Sequence, residues 1–419
     1  MFSIPADPDL IQADDPQAVT QCLHLPGLHV THLVFSHAEP WVLLHVRATA
    51  PSALCPTCGH PSTAVHQYHR RLVRDLAWAD HRCCLQLVRR RFKCADCQRP
   101  FTEELAAVAP HARTTRRYAT HLVAACRSAA IQTVARQEAH GYKAVEACFY
   151  TQAARLHPTS PPAHRIKRLG IDEIAARKGH GHFKLVLVDL DRHQVIEQLV
   201  DRRKETLRTY LLSWSAEQRA AVEEVATDFW AAYHEVAAAV LPQARVVGDR
   251  FHAQKHINEA VNTTRRAVQR RMGPVDREFV RERRSLFLRN EADLCRAEEW
   301  DLLLMKEYSP PLGEVHTRKE EFRTIYNTAP DRATAAQQLD DWLAAVAAST
   351  VAALVKAGEF VTRWRESILN YFVAHTSSGM VEGLNNKIKL LKRQAFGFGN
   401  DSHFRLRVLM ACEGRPLAH

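Results

Sequence analysis

The chain has 419 residues, which exceeds what one hydrophobic core usually organises, so its length favours two to four domains. It carries 57 lysines and arginines against 46 aspartates and glutamates, and this net charge of +11 favours a polyanionic partner such as nucleic acid. No apolar run approaches the roughly 20 residues of a membrane span, and the acidic start, MFSIPADPDLIQADD, lacks the features of a signal peptide. We therefore expect a cytoplasmic protein without a membrane partner.

Residues 1–50 form a strand-rich segment. Within it, residues 27–49 alternate apolar and polar side chains with many β-branched residues, which predicts a pair of strands. A second predicted strand pair covers residues 70–92, RRLVRDLAWADHRCCLQLVRRRF, and places Cys83 and Cys84 in a strand. Its basic face consists of Arg70, Arg71, Arg74, Arg89, Arg90 and Arg91. The residues of this face expected to contact DNA are Arg89, Arg90 and Arg91.

Two CxxC pairs predict a zinc ribbon over residues 51–102. The four thiols are Cys55 and Cys58 in CPTCGH, and Cys94 and Cys97 in KCADCQ. Each pair lets two thiolates reach one ion from a tight turn, and two such turns complete a tetrahedral zinc site that serves folding rather than catalysis. In a reducing cytoplasm the eleven cysteines favour metal binding over disulfides. The alternative interpretation is a redox-active pair, or four unrelated core thiols.

Residues 103–160 change to a helical pattern and predict a helix-turn-helix region that binds DNA. The stretches TTRRYATHLVAACR and AIQTVARQEAHGYKAVEACFY form the helices, and Gly141 lies at the turn. Lys143 follows this turn and is a candidate DNA contact. Two short helices joined through a glycine are also common in helical proteins of other functions. The stretch HPTSPPAHR then ends the helices and predicts the main domain boundary.

The second half alternates strands and helices in the order of an RNase H-like core. The strands RLGIDEIAA, HFKLVLVDL and QVIEQLVD precede the helix KETLRTYLLSW, the strand AVEEVATD, the helix FWAAYHEVAAAVL and the strand ARVVGD. We assign the first part of the core to residues 166–264, an all-helical insertion to 265–365, and the C-terminal part of the core to 366–419. The predicted fold class is therefore multidomain α+β, with a zinc ribbon and helix-turn-helix before an RNase H-like α/β core that the helical insertion interrupts.

Three acids that are distant in the sequence are the candidate catalytic residues. Asp172 lies inside the first strand of the core, where an apolar neighbourhood makes a lone carboxylate costly unless a cation pairs with it. Asp228 ends the fourth strand, which lies beside the first in such a sheet, and Glu382 belongs to the last helix. Three carboxylates gathered in this way can hold two Mg²⁺ (or Mn²⁺) ions for an in-line phosphoryl displacement. Taken singly, such acids are often only caps of turns or helices.

Other acids in this half are weaker candidates. Glu173, Asp189 and Asp249 are predicted decoys or accessories, and Asp249 follows a strand expected to lie further from the metal ions than Asp228 does. In DRFH, Asp249 and His252 either orient the site or contact DNA, or they form only a helix N-cap followed by a solvent-facing histidine.

The last helix also predicts a phosphate-binding surface. Four of its residues recur at spacings of four, three and four and therefore share one helix face. They are Glu382, Asn386, Lys389 and Arg393. The acid then faces the metal ions, and the expected DNA contacts are Asn386, Lys389, Lys392 and Arg393. Arg405 and Arg407 are expected to extend this surface, and the alternative interpretation is a solvated amphipathic helix.

Eight stretches spread over nearly the whole chain carry a family resemblance. They are CPTCG, RRFKCADC, FTEEL, GIDEIAARKGH, VDLDRHQVIEQLVDRR, VATDFWAAYHEVAAAVLPQARVVGDRFHAQKHINEAVN, SSGMVEGLNNKIKLLKRQAFGFGN and HFRLRVL. These stretches resemble the bacterial insertion-sequence transposases of the ISL-three group, which are of the DDE type. The resemblance implies a zinc ribbon and helix-turn-helix that bind terminal inverted repeats, and a catalytic trio at Asp172, Asp228 and Glu382.

The same resemblance implies roles for further residues. Asp249 and His252 match an acid-x-x-His signature of related transposases and become accessory residues, with Asp249 as the alternative to Asp228 for the second acid. In some such enzymes a tryptophan of the helical insertion stacks on a flipped base. The candidates for that role are Trp300, Trp342 and Trp364.

The expected function is transposition of a bacterial insertion sequence. The enzyme would cleave at the element ends and join the freed 3′-hydroxyl to target DNA, with Mg²⁺ (or Mn²⁺) at the catalytic site and a structural Zn²⁺. Its partner is double-stranded DNA, synapsis of two ends implies a homodimer or a higher homo-oligomer, and its location is the bacterial cytoplasm at the nucleoid. The alternatives are an RNase H-like structure-specific nuclease or resolvase, and a non-enzymatic DNA-binding regulator.

Overall fold

The computed structural model describes residues 11–12, 16–36, 39–159, 161–162, 164–175, 182–376, 379–395 and 397–413. The chain divides into two compact units, Met1–Arg155 and Leu156–His419, next to the predicted proline-rich boundary. Among the described residues, no helix combines the length and the apolar character needed to cross a membrane.

The N-terminal unit is built on one mixed sheet. Its strands are β1 (Ile11–Gln12), β2 (Leu28–Phe35), β3 (Trp41–Ala48), β4 (Ala53–Leu54), β5 (Pro61–Ser62), β6 (Val65–Arg74), β7 (Arg82–Lys93) and β8 (Pro100–Thr102). Its helices are α1 (Pro16–Leu23), α2 (Arg116–Ser128), α3 (Ile131–Gln137) and α4 (Tyr142–Leu156). The sheet order is β1-β2-β3-β7-β6, with β8 paired to β7, while β4 and β5 form a separate small hairpin.

Strand β7 lies in the middle of this sheet. It pairs in parallel with β3 and antiparallel with β6, so the first strand pair and the strand pair between the CxxC motifs share one sheet. Because side chains alternate along a strand, Cys83, Leu85 and Leu87 point into the apolar core of the unit. Cys83 and Cys84 are strand residues, as predicted.

The C-terminal unit combines a five-stranded sheet with many helices. Its strands are β9 (Arg168–Ala175), β10 (Phe183–Asp189), β11 (Gln194–Gln198), β12 (Glu224–Thr227) and β13 (Arg245–Gly248). Its helices are α5 (Lys204–Leu212), α6 (Ala216–Ala220), α7 (Ala231–Val240), α8 (Arg250–Gln269), α9 (Pro274–Glu282), a 3₁₀ turn (Glu291–Asp293), α10 (Arg296–Tyr308), α11 (Pro310–Thr328), α12 (Arg332–Ala347), α13 (Ala352–Arg363), α14 (Arg365–Ala374), α15 (Gly379–Gln394) and α16 (Asp401–Ala411).

The sheet of this unit has the order β11-β10-β9-β12-β13. Strands β9, β10 and β11 form an antiparallel meander, and β12 and β13 run parallel to β9. The carboxyl ends of β9, β12 and β13 therefore point in the same direction, which brings the residues that follow them to one edge. Strands and helices appear along the chain in the order that the sequence predicts.

The two faces of this sheet are buried by different helices. Ile171 of β9 shares a core with Leu207 of α5 and with α7. Ile174 points to the opposite face and shares a core with Val381 of α15 and with α16. Gly170 lies on this second face, where an added Cβ would stand 3.1 Å from a methyl group of Val381, so the absence of a side chain lets α15 approach the strand. Helices α8–α14 enclose a third core.

Gly248→Ala is expected to destabilise the C-terminal unit by about 1–3 kcal/mol, because a Cβ at this position overpacks a rigid aromatic site. The added atom would lie 2.3 Å from Cε1 of Phe229. That ring cannot move freely, since its centroid lies 5.0 Å from Phe360 and 5.7 Å from Trp364. Urea unfolding of the variant measures the change in the free energy of unfolding.

The matched control for this variant is Gly383→Ala on α15. A Cβ at Gly383 would meet nothing within 4 Å, and alanine favours a helix interior by up to about 1 kcal/mol over glycine. Equal unfolding free energies for the two variants would contradict the proposed overpacking at Gly248.

Candidate zinc centre and catalytic site

The four CxxC thiols lie together in the N-terminal unit. The Sγ atoms of Cys55 and Cys97 are 3.6 Å apart, those of Cys58 and Cys94 are 3.5 Å apart, and all four lie within 4.8 Å of one another. A tetrahedral zinc ion with Zn–S bonds of about 2.3 Å separates its sulfur ligands by about 3.8 Å. The observed cluster therefore fits a four-cysteine zinc site.

Each CxxC pair lies in a tight turn that the backbone stabilises. The N–H of Gly59 donates to the carbonyl of Cys55 at 2.9 Å, and the N–H of Cys94 donates to the carbonyl of Arg99 at 3.1 Å. The residue after the second cysteine is left-handed in both turns, with φ of 78° at Gly59 and 57° at Gln98. This shared geometry directs both thiols of each pair towards one point, as a zinc knuckle requires.

Several arginines of the predicted basic face have structural partners. Arg89 is only 6% exposed, and it donates to the backbone carbonyl of Glu103 at 2.8 Å. Arg90 binds the Glu103 carboxylate with Nε and Nη2 at 3.0 and 2.7 Å. Arg74 is buried, with its guanidinium 5.0 Å from the ring centroid of Trp41. These contacts favour a packing role for the three side chains, whereas Arg70 is exposed and Arg91 half-buried.

Helices α2, α3 and α4 pack around a small apolar core. Its buried residues include Tyr118, Leu122, Cys126, Val134, Val145 and Phe149. Lys143 lies in the first turn of α4, where its side chain is exposed and pairs with Glu146 at 2.8 Å. The amino-terminal turn of α4 therefore presents a cation to the solvent.

Three aspartates lie in one row at the edge of the C-terminal sheet. In the strand register, Ile171 is level with Thr227, and Thr227 is level with Gly248. The residues that follow these three positions are Asp172, Asp228 and Asp249. The N–H of Asp249 donates to the carbonyl of Thr227 at 3.1 Å, which continues the row beyond the end of β13.

His252 joins two of these acids. Its Nδ1 lies 2.7 Å from Oδ2 of Asp249 and 3.0 Å from Oδ1 of Asp228, and the three groups form a compact cluster that could hold a metal ion. Hydrogen bonds to Asp228 and then to Asp249 raise the pKa of His252 to about 10, so the imidazole is charged at neutral pH. The cation compensates the repulsion between the two carboxylates.

The DRFH stretch forms a helix N-cap, and its histidine contacts two carboxylates. Asp249 is the N-cap of α8, because its Oδ1 accepts the N–H of Phe251 at 2.8 Å. Its other oxygen binds His252, which therefore points towards the acids and not only towards the solvent. Both carboxylates contact the same imidazole nitrogen, although β13, which precedes Asp249, lies one strand further from β9 than β12 does.

Asp172 is half-buried at this edge. Burial, and then the charge of Asp228, raises the pKa of Asp172 to about 6. Its Oδ1 accepts the N–H of Glu173 and its Oδ2 accepts Nδ2 of Asn385, both at 2.6 Å. A desolvated carboxylate beside a second acid is costly in the free protein, and such a cost is typical of a site built to bind a cation.

Helix α15 runs along β9. Val381 contacts the position of Gly170, Asn385 binds Asp172, and Nζ of Lys392 donates to the carbonyl of Ala175 at 2.7 Å. Glu382 lies one turn before Asn385 on this helix, and its side chain is exposed. Within the described part of the chain, Glu382 makes no hydrogen bond or ion pair, and the compact cluster of acids and histidine does not include it.

Asn385 is a site residue that the sequence analysis did not identify. Its side chain is 5% exposed, and its Oδ1 accepts no hydrogen bond in the described structure. The signal was present in the pattern of α15, where Val381, Ile388 and Leu391 are the other buried positions and Asn385 is the polar exception. A buried amide on an apolar helix face requires a polar partner, which here is Asp172.

Two of the three acids predicted as decoys or accessories, Glu173 and Asp189, have structural partners. Glu173 accepts the hydroxyl of Tyr233 at 2.7 Å and Arg202 at 3.1 Å. Asp189 is 2% exposed and binds His164 at 2.9 Å. These contacts account for both carboxylates without a metal ion.

The basic surface of the last helices is smaller than predicted. Asn386, Lys389 and Arg393 are exposed on α15, as a phosphate-binding face requires. The prediction that Arg405 and Arg407 extend this face is wrong. Arg405 forms a two-pronged ion pair with the buried Glu197 at 2.5 and 2.6 Å, and Arg407 is 4% exposed, because α16 packs against the sheet.

The three candidate tryptophans differ in exposure. Trp342 is 3% exposed and donates to the carbonyl of Arg318 at 2.8 Å. Trp364 packs on His234, which in turn binds the carbonyl of Asp228 at 3.0 Å. Trp300 on α10 is 59% exposed, so it is the candidate that can reach an external ring.

The matches to known proteins follow the same division of the chain. A family of transposases of the ISL-three type matches residues 169–408, which is more than half of the sequence. The family described as the zinc-finger of transposase IS204/IS1001/IS1096/IS1165 matches residues 51–97. The first match covers the row of aspartates and α15, and the second covers all four clustered thiols.

Curated relatives extend this similarity. The chain is 31% identical over 378 residues to the transposase for insertion sequence element IS1001 of Bordetella parapertussis, which covers 88% of this chain and 91% of that protein. It is 25% identical over 256 residues to the transposase for insertion sequence element IS1557 of Mycobacterium tuberculosis, with 56% and 57% covered. These matches confirm the predicted resemblance, and this chain belongs to the ISL-three family of insertion-sequence transposases.

Proposed function

We propose that this chain is a divalent-metal-dependent DNA transposase that cleaves at the ends of its insertion sequence and joins the freed 3′-hydroxyl to target DNA. The observation that carries the proposal is the row formed by Asp172, Asp228 and Asp249 at one sheet edge, beside the exposed basic face of α15. Carboxylate oxygens are the preferred ligands of Mg²⁺ and Mn²⁺, and the charged groups around them suit a phosphodiester substrate.

An RNase H-like core is the proposed architecture of the catalytic region. The order β11-β10-β9-β12-β13, with an antiparallel meander followed by two parallel strands, supports this assignment. Along the chain, helices α8–α14 lie between strand β13 and helix α15, as an insertion between residues 265 and 365 would require. On this basis we retain 166–264 and 366–419 as the two parts of one core.

The catalytic metal ligands in this proposal are Asp172, Asp228 and Glu382, with Asp249 and His252 as accessory groups. Bound Mg²⁺ (or Mn²⁺) supplies activation of the attacking oxygen and stabilisation of the leaving oxygen. Asn385 orients Asp172 through its 2.6 Å hydrogen bond, and the charged His252 holds Asp228 and Asp249 in position. The exposure of Glu382 leaves its carboxylate accessible to a ligand.

DNA recognition is assigned mainly to the N-terminal unit. The zinc ribbon and the three helices α2–α4 would bind the terminal inverted repeats, with α4 as the recognition helix and Lys143 in its first turn. In the C-terminal unit, Asn386, Lys389 and Arg393 would contact phosphates near the reacting bond. Trp300 is the proposed stacking residue, and synapsis of two element ends would require at least a dimer.

The proposal is tested by incubating the purified full-length protein with labelled element-end DNA and a target plasmid, with and without Mg²⁺. We expect metal-dependent cleavage at the element end and products covalently joined to the plasmid. Cleavage of branched DNA without any joined product would favour a resolvase instead. Binding of the inverted repeat with no cleavage in Mg²⁺ or Mn²⁺ would indicate a non-enzymatic DNA-binding regulator.

A further inference from the structure

The end of α8, the helix α9 and the turn after it carry an unusual excess of positive charge. Between residues 265 and 289 the chain has nine arginines and three acids. This excess of six is more than half of the net charge of +11 carried by the whole chain. None of these residues belongs to the acid cluster or to the basic face of α15, so the proposed catalytic site does not account for them.

Some of these arginines have carboxylate partners. The ion pairs are Arg266 with Glu259, Arg281 with Glu278, Arg283 with Asp301, and Arg289 with Glu298. In contrast, Arg270, Arg271 and Arg284 are exposed and form no ion pair within the described ranges. Like charges that remain uncompensated on one surface repel one another and attract an external anion.

Arg265 supplies a second, independent observation. Arg265 is only 9% exposed. Its guanidinium contacts no carboxylate in the described structure, and its Nε has no hydrogen-bond acceptor. Its hydrogen bonds reach only neutral amides, with Nη1 at 2.6 Å from Gln269 and Nη2 at 3.5 Å from Asn262. Burial, and then the charges of Arg266 and Arg284, lowers the pKa of Arg265.

Hydrogen bonds between Gln269 and Arg277 tie the end of α8 to α9. Nε of Arg277 donates to the carbonyl of Gln269 at 3.1 Å, and Nε2 of Gln269 donates to the carbonyl of Arg277 at 3.2 Å. Helix α9 ends at Glu282, and Arg284 follows in the turn, where its N–H donates to the carbonyl of Arg281 at 3.4 Å. We call Arg265, Arg270, Arg271 and Arg284 the arginine patch.

The distance between the arginine patch and the acids is set by one helix. His252 lies in the first turn of α8, and Arg265 to Gln269 form its last turn. With a rise of 1.5 Å per residue, these two ends lie about 20–26 Å apart along the helix axis. Duplex DNA advances 3.4 Å per base pair, so this distance corresponds to about six to eight base pairs.

We propose that the arginine patch binds the phosphodiester backbone of duplex DNA, independently of sequence, about six to eight base pairs from the bond held at the acids. The chemistry of the patch supports this choice, because guanidinium groups pair with phosphate oxygens, and contacts to phosphates fix a duplex without reading its sequence. The proposal rests on the proposed transposase function. It assigns sequence-independent binding of the target or flanking duplex to the end of α8, to α9 and to the turn after α9.

The test uses the full-length protein with three reversed charges, Arg270→Glu, Arg271→Glu and Arg284→Glu. Its matched control is Arg208→Glu, since Arg208 is an exposed arginine of α5 without an ion pair among the described residues. Binding of an unrelated 20-base-pair duplex and of an inverted-repeat duplex is measured across a salt series. We expect the triple variant to bind the unrelated duplex at least about tenfold more weakly, with a salt slope reduced by about 0.9 for each lost phosphate contact.

Duplex length provides the second measurement. In the unmodified protein, strand transfer into short targets should fall when the duplex extends fewer than about six base pairs beyond the joining point, and the triple variant should lose this length dependence. Affinity and salt slope equal to those of Arg208→Glu would overturn the proposal. If the reversed charges prevent folding, the Gln versions of the same three residues are measured instead and are held to the same outcomes.

Failure of the proposed function gives a different result. An unmodified protein that never cleaves or joins DNA in Mg²⁺, but whose affinity for unrelated duplex falls in the triple variant, would retain the arginine patch and refute the transposase activity. A protein that transfers strands with unchanged efficiency and length dependence after the three substitutions would retain the activity and refute the patch.

Discussion

Asp172→Asn is expected to reduce metal-dependent cleavage of element-end DNA by at least about a thousandfold. The variant keeps the shape of the side chain but removes one of the charges that bind divalent metal. The several kcal/mol that a catalytic metal ion contributes correspond to about a factor of ten for each 1.4 kcal/mol. Binding of the inverted repeat, which we assign to the N-terminal unit, should remain nearly unchanged.

The same substitution should stabilise the protein in the absence of metal by about 1–3 kcal/mol at pH 7. Burial and the charge of Asp228 raise the pKa of Asp172 from 3.8 to about 6, so its ionised form disfavours the folded state. The amide of an asparagine at this position can be accommodated, because Oδ1 of Asn385 has no donor at present and a rotated Asn385 side chain can accept from it.

The sign of the pH dependence follows from the raised pKa. Below about pH 4 the Asp172 carboxyl is protonated in both the folded and the unfolded chain, and the variant should have no advantage. Between about pH 4 and pH 6 the unfolded chain ionises first, so the stability of the unmodified protein falls with rising pH. Above about pH 6 the advantage of Asp172→Asn should be complete and constant.

Two measurements check this prediction together. Cleavage of labelled element-end DNA gives the activity, and urea unfolding from pH 4 to pH 8 without added Mg²⁺ or Mn²⁺ gives the stability. The control is Glu223→Gln, an exposed acid next to the opposite end of β12, which should retain both properties. Retained cleavage by Asp172→Asn would remove Asp172 from the catalytic site.

Cys58→Ser is expected to abolish zinc binding and inverted-repeat recognition together. The four Sγ atoms are the ligands expected for one closed zinc site, and a serine hydroxyl is a poor zinc ligand in place of a thiolate. In zinc-finger peptides the bound metal contributes an apparent free energy of about 10–16 kcal/mol, which far exceeds the stability of a small ribbon. We therefore expect the zinc ribbon to lose its structure in this variant.

Elemental analysis and protease sensitivity measure this loss. The unmodified protein should contain about one zinc ion per chain, and the variant should contain almost none and be cleaved rapidly within residues 51–97. Cys22→Ser is the control, because Cys22 is exposed and does not belong to the thiol cluster. An unchanged zinc content in Cys58→Ser would refute the four-cysteine site.

A large share of this molecule can be derived from local patterns. The CxxC spacing, the alternation of strands β2, β3, β6 and β7, and the order of strands and helices after residue 166 all depend on neighbours in the sequence. Hydrophobic periodicity and turn residues involve only a few neighbouring positions, so the strands and helices they predict can be recognised without knowledge of the tertiary structure. The long motifs around Asp228 and Glu382 were also sufficient to indicate the transposase family.

The partners of the charged side chains could not be predicted from the sequence. Sequence shows that Arg89, Arg90, Arg405 and Arg407 are cations, but it does not show that Glu103 and Glu197 neutralise Arg90 and Arg405, or that Arg89 and Arg407 are buried. Charge is a property of one residue, whereas exposure and pairing depend on which distant segments meet. For this reason the predicted basic face at residues 405–407 was wrong, and the arginine patch at the end of α8 was overlooked.

The sequence by itself determined the elements, the thiol cluster and the identity of the family, because these follow from short-range periodicity and ligand spacing. Only the tertiary structure decided that Asp249 joins Asp172 and Asp228 in one row, that His252 binds Asp228 and Asp249, and that Asn385 binds Asp172. Such relations depend on the register between strands and on the position of α15 along β9. Register and helix placement result from the packing of whole surfaces, and no local pattern encodes them.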